Sequence, residues 1–298
     1  MDHGRVIDSV LANFDAPPQP CDVLRVSEGA LTRKSFTRDV IQSKSPVHVK
    51  GGIPKRHLER WNLDGLAKHL EGRDDMLYVI RGHAEQGGTN LVDITVSDYL
   101  AYLRDAEKRA TEAEPLYVTI SKEFMRLLPK MEREFGLDEL KPRSYSCDTF
   151  AFLGPDRTVT GLHADTYHSL FFQVWGRKIF VLLPPSSTPN AYVSRKYEWS
   201  TRLSEVNLET PEQNREQFPL LRRCTPFVAD VATGDMLWIP VGWFHYVYAL
   251  EPSFSLSFFL ADFVRTISYA IWENWIKSRL HQVGLYGRRH GCTCHPMT

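Results

Sequence analysis

The chain has 298 residues, 43% of them hydrophobic and 24% charged, proportions that suit one large folded domain or a barrel with helical attachments. Its 36 Lys and Arg balance its 36 Asp and Glu, so there is no global basic field to hold nucleic acid by phosphate attraction. Cys21, Cys147, Cys224, Cys292 and Cys294 are too few and too scattered for a disulfide framework, and suit a reducing compartment.

The first twenty residues carry early charges and no apolar run of a secretory leader. The most apolar window, 254–264, is interrupted by Ser255, Ser257 and Asp262 and is too short to cross a bilayer. A cytoplasmic protein with no membrane partner is expected. Residues 1–20 read as a short helix followed by a leader rich in proline, with Pro17, Pro18 and Pro20. Residues 35–43 have helical spacing, and 46–50 alternate like a strand that stops at Gly51-Gly52. Leu58, Trp61, Leu63, Leu66 and Leu70 again recur at helical spacing. A second amphipathic helix is expected after Ser97 as N-cap, carrying Tyr99, Leu100 and Leu103 into a charged tail near Glu114.

From residue 115 the texture changes. Residues 116–120 read as a strand and 122–135 as a helical insert. Short strand-like runs then follow at 149–153, 158–163, 170–174, 178–183, 226–228, 236–239, 244–250 and 254–260. Many short strands between proline and glycine turns predict a mainly β sandwich or barrel. Residues 262–281 return to helix, with an apolar stripe of Phe263, Ile267, Ile271, Trp275 and Ile276. The simpler expectation packs that stripe within the chain, and the alternative is a homodimer formed through it. The division predicted is an N-terminal region (1–114), a β core (115–262) and a C-terminal helix and tail (263–298).

The strongest local feature is Thr160-Gly161-Leu162-His163-Ala164-Asp165. Residues two apart on a strand share a face, so His163 and Asp165 can take adjacent corners of a metal's coordination sphere. A third ligand is offered by His245, in the run Gly234-Asp235 through Ile239-Pro240 to Trp243-Phe244-His245. Two histidines and a carboxylate leave three octahedral positions open, which suits iron(II) and dioxygen chemistry. Taken alone, His-x-Asp is a weak signal, and a strand histidine hydrogen-bonded to a neighbour is the plainer reading of either imidazole.

Context decides. Phe152-Leu153-Gly154-Pro155 leads into the first block, and Phe171-Phe172-Gln173-Val174-Trp175-Gly176-Arg177-Lys178 with Pro184-Pro185 follows it. In order and content these blocks resemble the JmjC-type, cupin-like oxygenases, in particular their asparaginyl hydroxylases. The resemblance spans roughly residues 20–262, densely at 149–185 and 234–260 and thinly before 115. It implies a double-stranded β-helix (cupin or jelly-roll) core with flanking N- and C-terminal helices.

The resemblance also implies function. The expected cofactors are Fe(II), held by His163, Asp165 and His245, with 2-oxoglutarate and O2 as co-substrates. Lys178 stands where the family pairs a lysine with the distal carboxylate of 2-oxoglutarate, Thr160 matches a hydroxyl reaching the same group, and Tyr117 matches a phenol there. Ser169 and Ser257 depart from the asparagines of those hydroxylases, so the co-substrate or oxygen site is expected to be held differently. The implied reaction is hydroxylation of a C–H bond in a protein or peptide side chain, an amino acid or another polar metabolite, releasing succinate and CO2. Alternatives are N-methyl demethylation, a different metal-dependent cupin enzyme (isomerase or hydrolase) and a non-catalytic binding cupin.

Lesser features are weighed beside these. Trp243, Phe244, Tyr246 and Tyr248 offer either a substrate wall or core aromatics, with core the commoner outcome. His168 faces the pocket or is a hydrogen-bonded structural histidine. Cys292, Cys294 and His295 are soft-metal ligands in type but too few for a closed site. Residues 53–115 and 186–225 are expected to shape the pocket.

Overall fold

The computed structural model describes residues 3–27, 31–85, 90–111, 113–135, 137–196 and 201–287. Ahead of residue 115 lie β1 (Gln19–Pro20), β2 (Asp22–Arg25), β3 (Val47–Lys50), β4 (Met76–Arg81) and β5 (Asn90–Thr95). Next come β6 (Leu116–Ser121), β7 (Ser146–Gly154), β8 (Val159–Asp165), β9 (His168–Trp175) and β10 (Arg177–Leu183). The last five are β11 (Thr201–Leu203), β12 (Phe227–Ala232), β13 (Met236–Ile239), β14 (Phe244–Ala249) and β15 (Ser253–Ala261).

They form two sheets. One has six strands in the order β1-β12-β10-β14-β8-β11, the other nine in the order β2-β3-β13-β9-β15-β7-β6-β4-β5. From β7 to β10 and again from β12 to β15 the chain passes repeatedly from one sheet to the other, which is the winding of a double-stranded β-helix. The nine-stranded sheet takes strands from both sides of residue 115.

Alternation along the strands sorts the apolar residues into three layers. Trp61, Tyr99, Phe124, Trp238 and Phe254 belong to the largest, where helices cover the outer face of the nine-stranded sheet. Val10, Val181, Phe244, Tyr246 and Tyr248 lie in the layer outside the six-stranded sheet. Between the sheets, Phe171 and Phe180 meet edge to face at 4.8 Å, in a cluster with Leu182, Leu237 and Val247. Gly176 turns β9 into β10 at φ +82°, and a Cβ there would come within 2.3 Å of the Pro252 carbonyl oxygen.

Two expectations need correction, and one element was missed. The helix Val96–Arg104 is capped by Thr95, whose hydroxyl accepts from the Asp98 amide at 3.1 Å, and Ser97 falls inside its first turn. The hairpin of β4 and β5 was not anticipated. The segment 263–282 is helical, but its stripe does not pack within the chain: Phe263, Ile267, Ile271, Trp275 and Ile276 are exposed, Trp275 by 71%. No helix among the described residues is long and apolar enough to cross a membrane. Cys292, Cys294 and His295 lie outside the described residues.

Candidate metal centre

β8 and β14 run antiparallel, with His245 directly opposite His163. His163 and Asp165, two apart on β8, project on one side, and all three residues are buried. His163 Nε2 lies 3.8 Å from Asp165 Oδ1, and His245 Nε2 lies 3.7 Å from Asp165 Oδ2. One candidate ligand atom from each residue falls within 4.8 Å of the others.

The tautomers follow from the backbone. His163 Nδ1 sits 2.7 Å from the Gly161 carbonyl, and His245 Nδ1 sits 3.2 Å from the Trp243 carbonyl. A carbonyl only accepts, so each Nδ1 carries a hydrogen, and Nε2 is the atom left to offer a lone pair on the Asp165 side when the ring is neutral. Burial holds the His245 pKa well below its ordinary value, and the neighbouring His163 pushes the same way. Burial raises the Asp165 carboxyl, opposed by His163 and by the Thr201 hydroxyl, which donates to Oδ1 at 3.2 Å. Two imidazoles and a carboxylate gathered in a buried site fit a divalent cation, whose charge would offset the cost of burying the carboxylate.

The strand register is irregular beside the triad. Gly161 and Leu162 on β8 together oppose Tyr246 on β14, because His245 pairs with His163 while Val247 pairs with Thr160. This bulge changes the phase of alternation. Thr160 therefore faces the same cavity as His163 and Asp165, although strict alternation would turn it away.

That cavity joins the triad to Lys178, Thr160 and Tyr117. Lys178 is buried on β10, with Nζ 3.3 Å from the Tyr117 hydroxyl and near the faces of Tyr117, Phe152 and Phe171. Burial lowers its pKa from 10.5 to about 7. Thr160 hydrogen-bonds Tyr117, whose phenol is nevertheless pushed up by burial. Two rigid hydroxyls and an under-solvated amine make a receptor for a carboxylate.

Ser169 and Ser257 also line the cavity, from β9 and β15, with hydroxyls 2.8 Å apart. The predicted residues His163, Asp165, His245, Lys178, Thr160, Tyr117, Ser169 and Ser257 are thus all brought to one cavity. The other candidates are not. Phe244, Tyr246 and Tyr248 face the outer layer, and Trp243 donates its indole N–H to the Lys44 carbonyl, so these aromatics are core and not a substrate wall. His168 stacks on Trp238 and accepts the Val241 amide at Nδ1, a structural role. Asp235, in the run that leads to His245, holds His48 and the Gly51 amide away from the cavity.

Residues 186–225 contribute Thr201, but residues 53–115 supply none of the described lining. Thr201 was missed because a three-residue strand carries no pattern of its own. Phe171 and Phe180, also missed, lie two residues beyond Ser169 and Lys178, so alternation alone would have found them.

Comparison with known proteins gives the chain its relatives. The cupin-like domain family matches residues 33–264. The chain is 27% identical over 182 residues to Jumonji C domain-containing protein 5 of Drosophila melanogaster, covering 57% of the chain and 45% of that protein. It is 28% identical over 220 residues to HSPB1-associated protein 1 of Rattus norvegicus, covering 67% and 44%. To Lysine-specific demethylase 8 of Danio rerio it is 26% identical over 235 residues, covering 75% and 55%. The chain therefore spans about half the length of these relatives.

Proposed function

The chain belongs to the cupin-like domain family, and on that premise we propose that it is an iron(II)- and 2-oxoglutarate-dependent dioxygenase that hydroxylates a C–H bond. The observation that carries the proposal is one cavity with a His163–Asp165–His245 donor set at one end and a carboxylate receptor at the other. Iron(II) bound with 2-oxoglutarate supplies the activation of dioxygen that couples decarboxylation of the co-substrate to hydroxylation. The balance is substrate C–H, O2 and 2-oxoglutarate giving alcohol, succinate and CO2.

The chain's own residues do the holding. His163 and His245 offer Nε2 because their Nδ1 hydrogens are committed to backbone carbonyls. Thr201 fixes the tilt of the Asp165 carboxylate through Oδ1. Lys178 takes up a proton and pairs with the distal carboxylate of the co-substrate, helped by Thr160 and Tyr117. Phe152, Phe171 and Phe180 keep water from that pair. The Ser169–Ser257 pair occupies less volume than two asparagines and leaves more of the cavity open.

N-demethylation is a second reading, favoured by the name of one relative, Lysine-specific demethylase 8. Hydroxylating an N-methyl carbon gives a hemiaminal that breaks to amine and formaldehyde, so the same residues serve both outcomes. Homodimerisation is also proposed, because Phe263, Val264, Ile267, Ile271, Trp272 and Trp275 are exposed. Six such side chains approach the roughly 800 Å² per partner of a standard interface.

The test is anaerobic titration of the iron(II)-loaded protein with 2-oxoglutarate. A new visible absorption band, followed by succinate formation in air, is expected. An unchanged spectrum would return the barrel to the isomerase, hydrolase or non-catalytic readings.

A further inference from the structure

The nine-stranded sheet outruns the barrel. β4 and β5 extend it past β6, and the paired residues Ile80 and Tyr117 share a face of the sheet. Tyr117 looks into the cavity, so the face carrying Ile80, Tyr78 and Leu91 is the outward continuation of the cavity wall. On the opposite face Leu77 and Val79 are buried in the main core.

This continuation is apolar and uncovered. Tyr78 is 63% exposed, Leu91 61% and Ile120 39%. They line a groove with Ile80 and Glu123. Ile120 lines both this groove and the cavity, so the two adjoin at its side chain. It also sits at φ +47°, where the pairing of β6 with β7 shifts register. A β-branched residue held in the left-handed region is strained by roughly 1–3 kcal/mol, a cost found most often at ligand clamps and active sites.

Charge narrows the occupant. Asp93 pairs with Tyr78 and so shares its face, and Glu123 stands in the groove lining. Arg126 offsets Glu123 only in part, at 3.9 Å in an exposed pair, and Asp93 with it still disfavours phosphate and favours a cationic neighbour. A small polar metabolite has no use for an apolar surface outside the cavity.

We propose that the substrate is an extended polypeptide segment, whose modified residue enters past Ile120 while an apolar side chain seats between Tyr78 and Leu91 with a basic residue beside Asp93 and Glu123. This rests on the oxygenase reading and names its substrate class. Crossing from β6 to β5 is two strand spacings, about 10 Å, or about three residues of extended chain. The anchor therefore lies about three residues from the modified position.

Two degenerate nonapeptide libraries test this, one carrying fixed Leu and Lys and the other Ser at both positions. Benzophenone replaces the Leu side chain for photo-crosslinking to the metal-free protein. Adducts on β4 and β5 are expected, at least tenfold fewer in Leu91→Glu and fewer again in Asp93→Lys. With iron(II), 2-oxoglutarate and air, peptides of the Leu/Lys library should gain 16 Da about three residues from the Leu. The 2-oxoglutarate absorption band should be unchanged in Leu91→Glu, which alters only an exposed side chain. Adducts elsewhere, adducts indifferent to Leu91→Glu, or oxygen gained by RNA or small metabolites instead of peptide overturn the docking proposal. Absence of the band overturns the oxygenase reading, while the crosslinks still decide the docking.

Discussion

His245 stands directly opposite His163 on the neighbouring strand, with ring centroids 4.0 Å apart, and both imidazoles commit Nδ1 to a backbone carbonyl. Replacing any of His163, Asp165 or His245 by alanine should leave two ligands and abolish stoichiometric iron(II), measured as metal per chain after gel filtration. Full retention in all three would remove the site. Thr201→Val keeps the shape but frees Asp165 Oδ1, and should weaken iron(II) by about tenfold, as expected for a residue that orients a ligand. An unchanged affinity would leave Thr201 a bystander.

Lys178 gives a pH dependence whose sign is fixed by burial. Its folded pKa is about 7 against 10.5 for an exposed lysine. Between those values the unfolded chain binds more protons than the folded one, so stability rises with pH across that window. Below about 7 the cost of burying the ammonium is present in full. The Tm of metal-free protein should climb from pH 7 to about 9, and Lys178→Met should flatten the climb. A level wild-type profile would put Nζ in water.

The same residue controls the co-substrate. Above pH 7 the amine is mostly neutral, so binding a carboxylate must bring in a proton. The affinity for 2-oxoglutarate should fall by about tenfold per pH unit until the pKa of the bound amine is reached. Calorimetry in buffers of different ionisation enthalpy reads the proton directly. Lys178→Met should cost at least about 100-fold at neutral pH, the scale of one or two charge-assisted bonds.

The Ser169–Ser257 hydrogen bond is testable by a double-mutant cycle. Each single alanine strands a buried hydroxyl and should cost about 1–2 kcal/mol, whereas the double alanine should cost less than the two summed. Strict additivity in urea unfolding would show that the hydroxyls do not depend on each other.

The exposed helical stripe predicts self-association. Light scattering should give twice the chain mass, reduced to one by Trp275→Asp with Ile271→Asp, both at exposed positions. A monomeric wild type at micromolar concentration would leave the stripe without a second copy.

The parts of this architecture that lie on regular strands were legible in the amino acids. His163 and Asp165 share a face by parity, and the run ending at His245 carried its own turn and strand signals. Thr160 was placed by resemblance, because its orientation comes from a bulge that no alternating pattern encodes. The hairpin of β4 and β5 escaped because Met76–Arg81 has apolar residues on both faces, which blurs a period of two. The helix start shifted by two residues because Thr95 and Ser97 are both capping types, and only the bond to the Asp98 amide separates them. The helical stripe showed its period plainly, but periodicity cannot say whether the apolar face meets its own chain or another.

Two residues of β8 facing a single residue of β14 divide the binding strand into halves that are out of phase. Deleting Gly161 or Leu162 would leave Thr160 two positions before His163, a spacing that needs no bulge, so the hydroxyl, His163 and Asp165 would still aim inward. Shortening the chain by one residue should therefore spare its grip on both cation and acid, whereas straightening the strand at full length would cost the acid its hydroxyl.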